Sequence, residues 1–180
     1  APESVETDRC RIRCYLPGDG PKLCAATNTT YTHLKPWMPW AIGDQTPENA
    51  EILVRQFRGR WLLANDFILG IWTLDGSRLI GGTGFHLRHG PLSLGIAEIG
   101  MWIHVDEAGQ GLGTHVLETL VFWGFSEWPW RRLVWQCDGR NLASRRVAEK
   151  CGFQLEGITR KDSQDPQGQI RDTARYALLK

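Results

Sequence analysis

The sequence predicts an α/β (α+β) fold: a mixed, largely antiparallel seven-stranded sheet flanked by about four helices. Three observations carry this. Short alternating or apolar runs bounded by turn residues mark seven strands, amphipathic or capped segments mark four helices, and the two kinds are interleaved as β-α-α-β-β-β-α-β-α-β-β.

The elements follow in order. In "RCRIRCY" (9–15), Arg9, Arg11 and Arg13 alternate with Cys10, Ile12 and Cys14, the pattern of a half-buried strand. Pro17 to Gly20 reads as a turn, and a helix follows to about Leu34, with Leu23, Thr27, Tyr31 and Leu34 on one side. "KPWMPWA" stops it, because two prolines cannot continue a helix. Thr46-Pro47-Glu48 starts the second helix with a capping hydroxyl, a proline in the first turn and an early acid. Ala50, Leu53, Val54, Phe57 and Trp61 then share its inner face. "FILGIWTL" and "RLIGGTGFHL" flank Asp75-Gly76-Ser77 as a hairpin. In the next strand, "AEIGMWIHV", Ile99, Met101, Ile103 and Val105 face one way, and Glu98, Gly100, Trp102 and His104 the other. A helix from about Gly111 to Ser126, the strand "RRLVWQCD", a helix capped by Asn141 and ended by Gly152, and strands near 153–161 and 170–179 complete the chain.

No repeat or low-complexity linker divides the 180 residues, so one domain is expected over 1–180, with 1–7 ("APESVET") as a flexible tail. The net charge of +1, with 23% charged and 42% hydrophobic residues, points to neither nucleic acid nor a membrane surface. No apolar run approaches the about 18 residues of a membrane span. Five cysteines, odd in number and without metal-ligand spacing, read as free thiols of a cytoplasmic protein, with no metal site.

The stretch "DEAGQGLGTHV" (106–116) places Gly109, Gly111 and Gly113 at the start of a helix. Each glycine within a helix costs roughly 1 kcal/mol relative to alanine, so their presence there needs a reason. Strand, glycines and helix N-terminus aim free amides and the positive end of a helix dipole at one spot, as an anion site requires. A plain strand-to-helix turn uses the same residues. The stretch lacks the lysine of a P-loop, and its third glycine comes one residue early for the dinucleotide fingerprint.

Val105-Asp-Glu-Ala-Gly-Gln-Gly-Leu-Gly-Thr resembles the acetyl-CoA pyrophosphate loop of the GNAT superfamily of N-acetyltransferases, Gln/Arg-x-x-Gly-x-Gly/Ala. "NLASRRVAEKCGFQLEG" resembles the Asn-x-x-Ser…Glu-Lys-x-Gly-Phe…Glu-Gly segment of its RimJ/RimL branch, and "HLKPWMPW" and "AEIGMWI" look like that branch too. These motifs run in family order from about residue 8 to 179. Ala108 departs from the pattern, standing where the family has Arg or Gln, and implies somewhat weaker CoA binding.

The resemblance implies the GNAT fold and direct transfer of an acetyl group from acetyl-CoA to an amine. It places the cofactor against backbone donors of Ile103, His104 and Val105, the loop Gly109, Gln110, Gly111, Leu112, Gly113 and Thr114, and Asn141, which also reads as a plain helix cap. It assigns Ser144 as proton donor to the departing thiolate, where spacing alone gives an ordinary exposed helix serine. Glu98 is the first candidate base and Asp162 the second; Glu98 reads equally as a salt-bridged strand carboxylate. His104 is either a titrating group or a structural histidine. Trp37 and Trp40 either wall the acceptor site or pack in the core. The expected acceptor is a protein or peptide N-terminal α-amine. A small-molecule amine, a longer donor such as succinyl-CoA, a non-catalytic CoA-binding regulator and a homodimer stay open.

Overall fold

A computed structural model describes all residues, 1–180. The elements are β1 (Ser4–Glu6), β2 (Arg11–Cys14), α1 (Gly20–Leu34), α2 (Pro47–Leu62), β3 (Phe67–Trp72), β4 (Leu79–His86), β5 (Ile96–Ile103), α3 (Leu112–Glu127), β6 (Arg132–Asp138), α4 (Leu142–Lys150), β7 (Gln154–Gln164) and β8 (Ile170–Leu179). One eight-stranded sheet has the order β1-β2-β3-β4-β5-β6-β8-β7. Every neighbouring pair is antiparallel except β5 and β6.

The eighth strand corrects the expectation of a flexible tail over residues 1–7. Ser4–Glu6 pairs with Arg11–Arg13, Val5 packs against the core, and Thr7 caps the turn by accepting from Cys10 N at 3.1 Å. Three residues are too few to show alternation. At the other end β7 runs to Gln164 rather than 161, because a bulge between Thr159 and Ser163 carries the chain past its first register.

Period 2 in the strands sends side chains to two layers. Phe67, Leu69, Ile71, Phe85, Ile99, Leu133 and Trp135 pack under Val116, Leu117, Leu120 and Trp123 of α3 and Ala148 of α4. Trp128 stacks on Trp130 at 5.7 Å within this layer, so most of the tryptophans are core. The opposite face carries Trp72 and Trp102 against Leu23 and Cys24 of α1 and Val54 of α2. Each large side chain fully buried here stabilises the fold by about 1.5–3 kcal/mol. The Thr46 hydroxyl accepts from Asn49 N at 3.2 Å and Pro47 opens α2, as their side-chain chemistry predicts.

The sheet splits in the middle. β5 and β6 pair only over Ile96–Glu98 and Arg132–Val134, yet β5 continues to Ile103 and β6 to Asp138. From residue 99 onward their facing edges have no partner strand. This slit joins the α3/α4 face to the α1/α2 face.

Candidate active site

On the α3/α4 face, the glycine loop opens α3. Gly109 (φ +74°) and Gly111 (φ +79°) adopt the left-handed conformation, which only glycine takes at low cost. None of the backbone amides of residues 109–114 donates to an acceptor in the protein. Helix geometry leaves the first-turn amides free, and the two left-handed glycines turn those before them to the same side. Gly113 is helical, and a Cβ there would meet Ile103, Met101 and Val147 at 3.7–3.9 Å, ordinary contact. Nothing in the protein requires a glycine at that position. Leu112 itself is buried in the core, and Gln110 Nε2 donates to Asp106 O at 2.8 Å, so its side chain braces the loop rather than reaching outward.

A cation that loop spacing could not reveal lies beside this nest. Arg9 Nη2 donates to Gln110 O at 3.1 Å, and its Nη1 is 3.9 Å from where a Gly111 Cβ would stand. His115 of α3 meets Thr7 at 2.9 Å, which fixes the segment that carries Arg9. Ala108 itself offers no such side chain, and the cation beside the loop comes instead from Arg9, 101 residues before Gln110.

Along the slit, the expected backbone donors divide. His104 N–H donates to Ile80 O of β4 at 2.9 Å, so it is removed from the set. Val105 N–H donates to Thr30 Oγ1 at 3.3 Å. Strand alternation then turns the amides of Ile103 and Met101 towards the slit, where no strand takes them. The His104 ring is buried and accepts from Asp106 N at 3.2 Å, a structural role.

Asn141 and Ser144 occupy the first turn of α4. Asn141 Oδ1 caps the helix by accepting from Ser144 N at 3.1 Å, and its Nδ2 is uncommitted. Ser144 is not the exposed helix serine that its spacing gives, because Trp135 Nε1 donates to its hydroxyl at 3.0 Å. Accepting there leaves the hydroxyl's own proton to be given elsewhere. Cys137 neighbours Ser144; burial pushes its thiol pKa up, against a lowering from the Ser144 hydrogen bond.

Glu98 stands at the apex of the slit on the opposite face, as the last β5 residue paired with β6. It is 7% exposed, and its carboxylate is held by Arg88, by His89 Nε2 at 3.0 Å and by Gln136 Nε2 at 3.1 Å. Gln136 Oε1 accepts from Arg175 at 2.7 Å, and Arg175 pairs with Asp162 at 2.9 Å. The two candidate bases are therefore the ends of one hydrogen-bonded chain. Asp162 lies in β7 rather than in the following loop. Burial pushes its carboxyl up, but donation from Thr173 and Arg175 outweighs this and holds it below the ordinary range. Such a group makes a poor base near neutrality.

Trp40 is half exposed and contacts Trp102 of β5 at 6.0 Å, and Trp37 is similarly exposed, so neither belongs to the core. Between Trp102 and Glu98 lies His86, bound to Asp66 at 2.9 Å. Sequence reasoning passed over it. Its signal was the spacing Gly82, Gly84, His86, which sets two residues without side chains beside a histidine on one strand face.

Residues 9–154 match the profile of the Acetyltransferase (GNAT) domain. The N-acetyltransferase YoaA of Bacillus subtilis is 30% identical over 98% of this chain and 96% of its own. The match to the same organism's Probable N-acetyltransferase YjcK, 32% identical, spans 65% of this chain and 64% of that protein. The ribosomal-protein-serine acetyltransferase of Escherichia coli is 35% identical over 36% of each chain. Among solved structures, RimL, a ribosomal L7/L12 α-N-protein acetyltransferase in complex with coenzyme A, superposes with a TM-score of 0.88 at 21% identity, covering 98% of both chains. A split sheet with an amide nest at one mouth defines the fold class, and the chain belongs to the GNAT acetyltransferase family. It is an acyl-CoA-dependent acetyltransferase, with acetyl-CoA as co-substrate.

Proposed function

We propose that the chain acetylates a protein or peptide N-terminal α-amine by direct transfer across the slit. The observation that carries this is the placement of groups on opposite faces of the sheet. The free amides of 109–114, Asn141 and Ser144 lie on the α3/α4 face, and Glu98 with the exposed Trp37 and Trp40 lies on the other.

The residues present suit acetyl-CoA. The nest and Arg9 would hold its pyrophosphate, and Ile103 N–H and Asn141 Nδ2 its pantetheine amides. A slit amide of Met101 or Ile103 would donate to the thioester carbonyl, whose oxygen gains charge as bonding changes. Glu98, clamped by three donors, faces the incoming amine and favours the positive charge that develops on nitrogen. Ser144 donates its proton to the thiolate and recovers one from water. The raised Cys137 thiol is a weak nucleophile, which supports direct transfer over an acyl-enzyme.

An α-amine, with an ordinary pKa near 8 against about 10.4 for lysine, offers far more of its neutral form at pH 7. The exposed Trp37 and Trp40 would flank the chain that follows it. The E. coli relative is named for a ribosomal-protein serine, which is a protein acceptor. The test is CoA release against a panel of N-terminal peptides and small amines. Turnover with peptides supports the reading. Turnover confined to small amines, turnover only with succinyl-CoA, or binding without turnover would each replace it.

A further inference from the structure

Three adjacent strands bring together a row of polar side chains on the acceptor face. His86 and Glu98 are register partners on β4 and β5, and the Phe67–Phe85 pairing sets Asp66 beside His86. His86 Nδ1 lies 2.9 Å from Asp66 Oδ1. A carboxylate only accepts, so Nδ1 carries a proton, and in the neutral ring Nε2 presents its lone pair. Nε2 makes no hydrogen bond within the protein, and the side chain is 14% exposed.

The ring has a seat. Gly84 and Gly100 face each other in register, and a Cβ on either would lie 3.1–3.2 Å from His86 Nε2. Gly84 also meets backbone, since its Cβ would stand 2.7 Å from Phe67 O, whereas at Gly100 only the imidazole is near. Gly100 is two residues beyond Glu98, so Nε2 lies where the slit opens.

We propose that His86 takes the proton from the acceptor amine, oriented by Asp66 and seated by Gly84 and Gly100, while Glu98 beside it holds the amine. The inference rests on the reading that the amine enters on this face. Glu98 has both oxygens engaged and would have to give up a partner to accept a proton; Nε2 has nothing to give up. As the amine nitrogen bonds to the acetyl carbon, its proton passes to Nε2, forming an imidazolium paired with Asp66. The carbon–sulfur bond breaks with its electron pair on sulfur, which is protonated from Ser144. The groups facing His86 are Asp66 from the α2–β3 connection and Glu98 from β5. Through Glu98 come Arg88 and His89 of the β4–β5 connection and Gln136 of β6.

The test compares wild type with His86→Gln, Asp66→Asn, Gly100→Ala and Glu98→Gln. His86→Gln should lower kcat by about 10²–10⁴-fold, with acetyl-CoA affinity unchanged. Asp66→Asn should also lower kcat by reversing the tautomer, and Gly100→Ala should do so by displacing the ring. Unchanged kcat in His86→Gln beside a large loss in Glu98→Gln overturns the proposal. A readout independent of turnover is the Cε1–H resonance of His86, assigned by its loss in His86→Gln. It should move on adding acetyl-CoA, and a resonance that ignores saturating acetyl-CoA also overturns it. If only small amines are acetylated, the proposed acceptor fails while the His86 comparison stands. If peptides are acetylated equally by His86→Gln, the acceptor stands and His86 is dismissed.

Discussion

Removing the Ser144 hydroxyl should produce two separable losses. In Ser144→Ala, the Trp135 indole N–H loses its acceptor inside a side chain only 5% exposed. Stranding a buried donor costs about 1–3 kcal/mol. Alanine's better helix propensity returns roughly 0.5 kcal/mol, so the net destabilisation is about 0.5–2.5 kcal/mol. For a chain of this size that is a fall of a few degrees in Tm, and the fold persists. The catalytic loss is distinct. A hydroxyl acting through one hydrogen bond on the thiolate belongs near the lower end of general-acid effects, about 10²-fold in kcat, or roughly 2.7 kcal/mol of barrier. Because the charge on sulfur exists only in the transition state, acetyl-CoA affinity should hardly change. Calorimetric melts, acetyl-CoA titration and steady-state kinetics on one preparation measure all three quantities. Ser144→Thr, which keeps the hydroxyl, should recover most of kcat. Full turnover by Ser144→Ala would refute the role and leave water as the proton source, and weakened affinity at unchanged kcat would make Ser144 a binding group instead.

Saturating acetyl-CoA at 100 times its Kd should stabilise the wild type by about 2.7 kcal/mol; in Gly113→Ala the apo protein should melt up to roughly 1 kcal/mol more stably while the ligand-induced rise shrinks, and an undiminished rise would free Gly113 of any ligand role. Arg9→Ala should raise the KM for acetyl-CoA roughly 2- to 10-fold at unchanged kcat and weaken its salt dependence; an unaltered KM would confine Arg9 to bracing Gln110. The carboxyls of Asp138 and Asp165, both held low chiefly by donation from Arg140, and of Asp162 ionise more readily folded than unfolded. The unfolded chain therefore binds protons first as pH falls, so the stability they contribute is complete above about pH 5 and declines below about pH 4. Tm should fall between pH 5 and 3, less steeply in Arg140→Gln, and a flat profile would contradict these assignments.

Much of the fold was legible because each signal was local. Alternation in residues 9–15 and 97–105, the Thr46-Pro47 start and the glycine loop all reflect backbone needs that one short segment expresses. What could not be read was made by register and crossing. Arg9 reaches the loop only because Thr7 and His115 hold β2's approach against α3. The Asp66–His86–Glu98 row exists only once β3, β4 and β5 align, and the Trp135 bond that removes Ser144 from the exposed class spans β6 and α4. Alternation tells which residues share an edge, not which edge meets β4, so only the bond to Ile80 shows that the His104 amide lies away from the slit. The edge strand at Ser4–Glu6 was hidden by its length.

The most direct test of α-amine transfer uses two peptides of one sequence, each with an internal lysine, one with a free N-terminus and one with that terminus blocked. Incubated with enzyme and acetyl-CoA, the free peptide should release CoA and gain one acetyl group, which fragmentation mass spectrometry places on the first residue. The blocked peptide should stay unmodified with no CoA released. Acetylation of the lysine in both peptides would contradict the account.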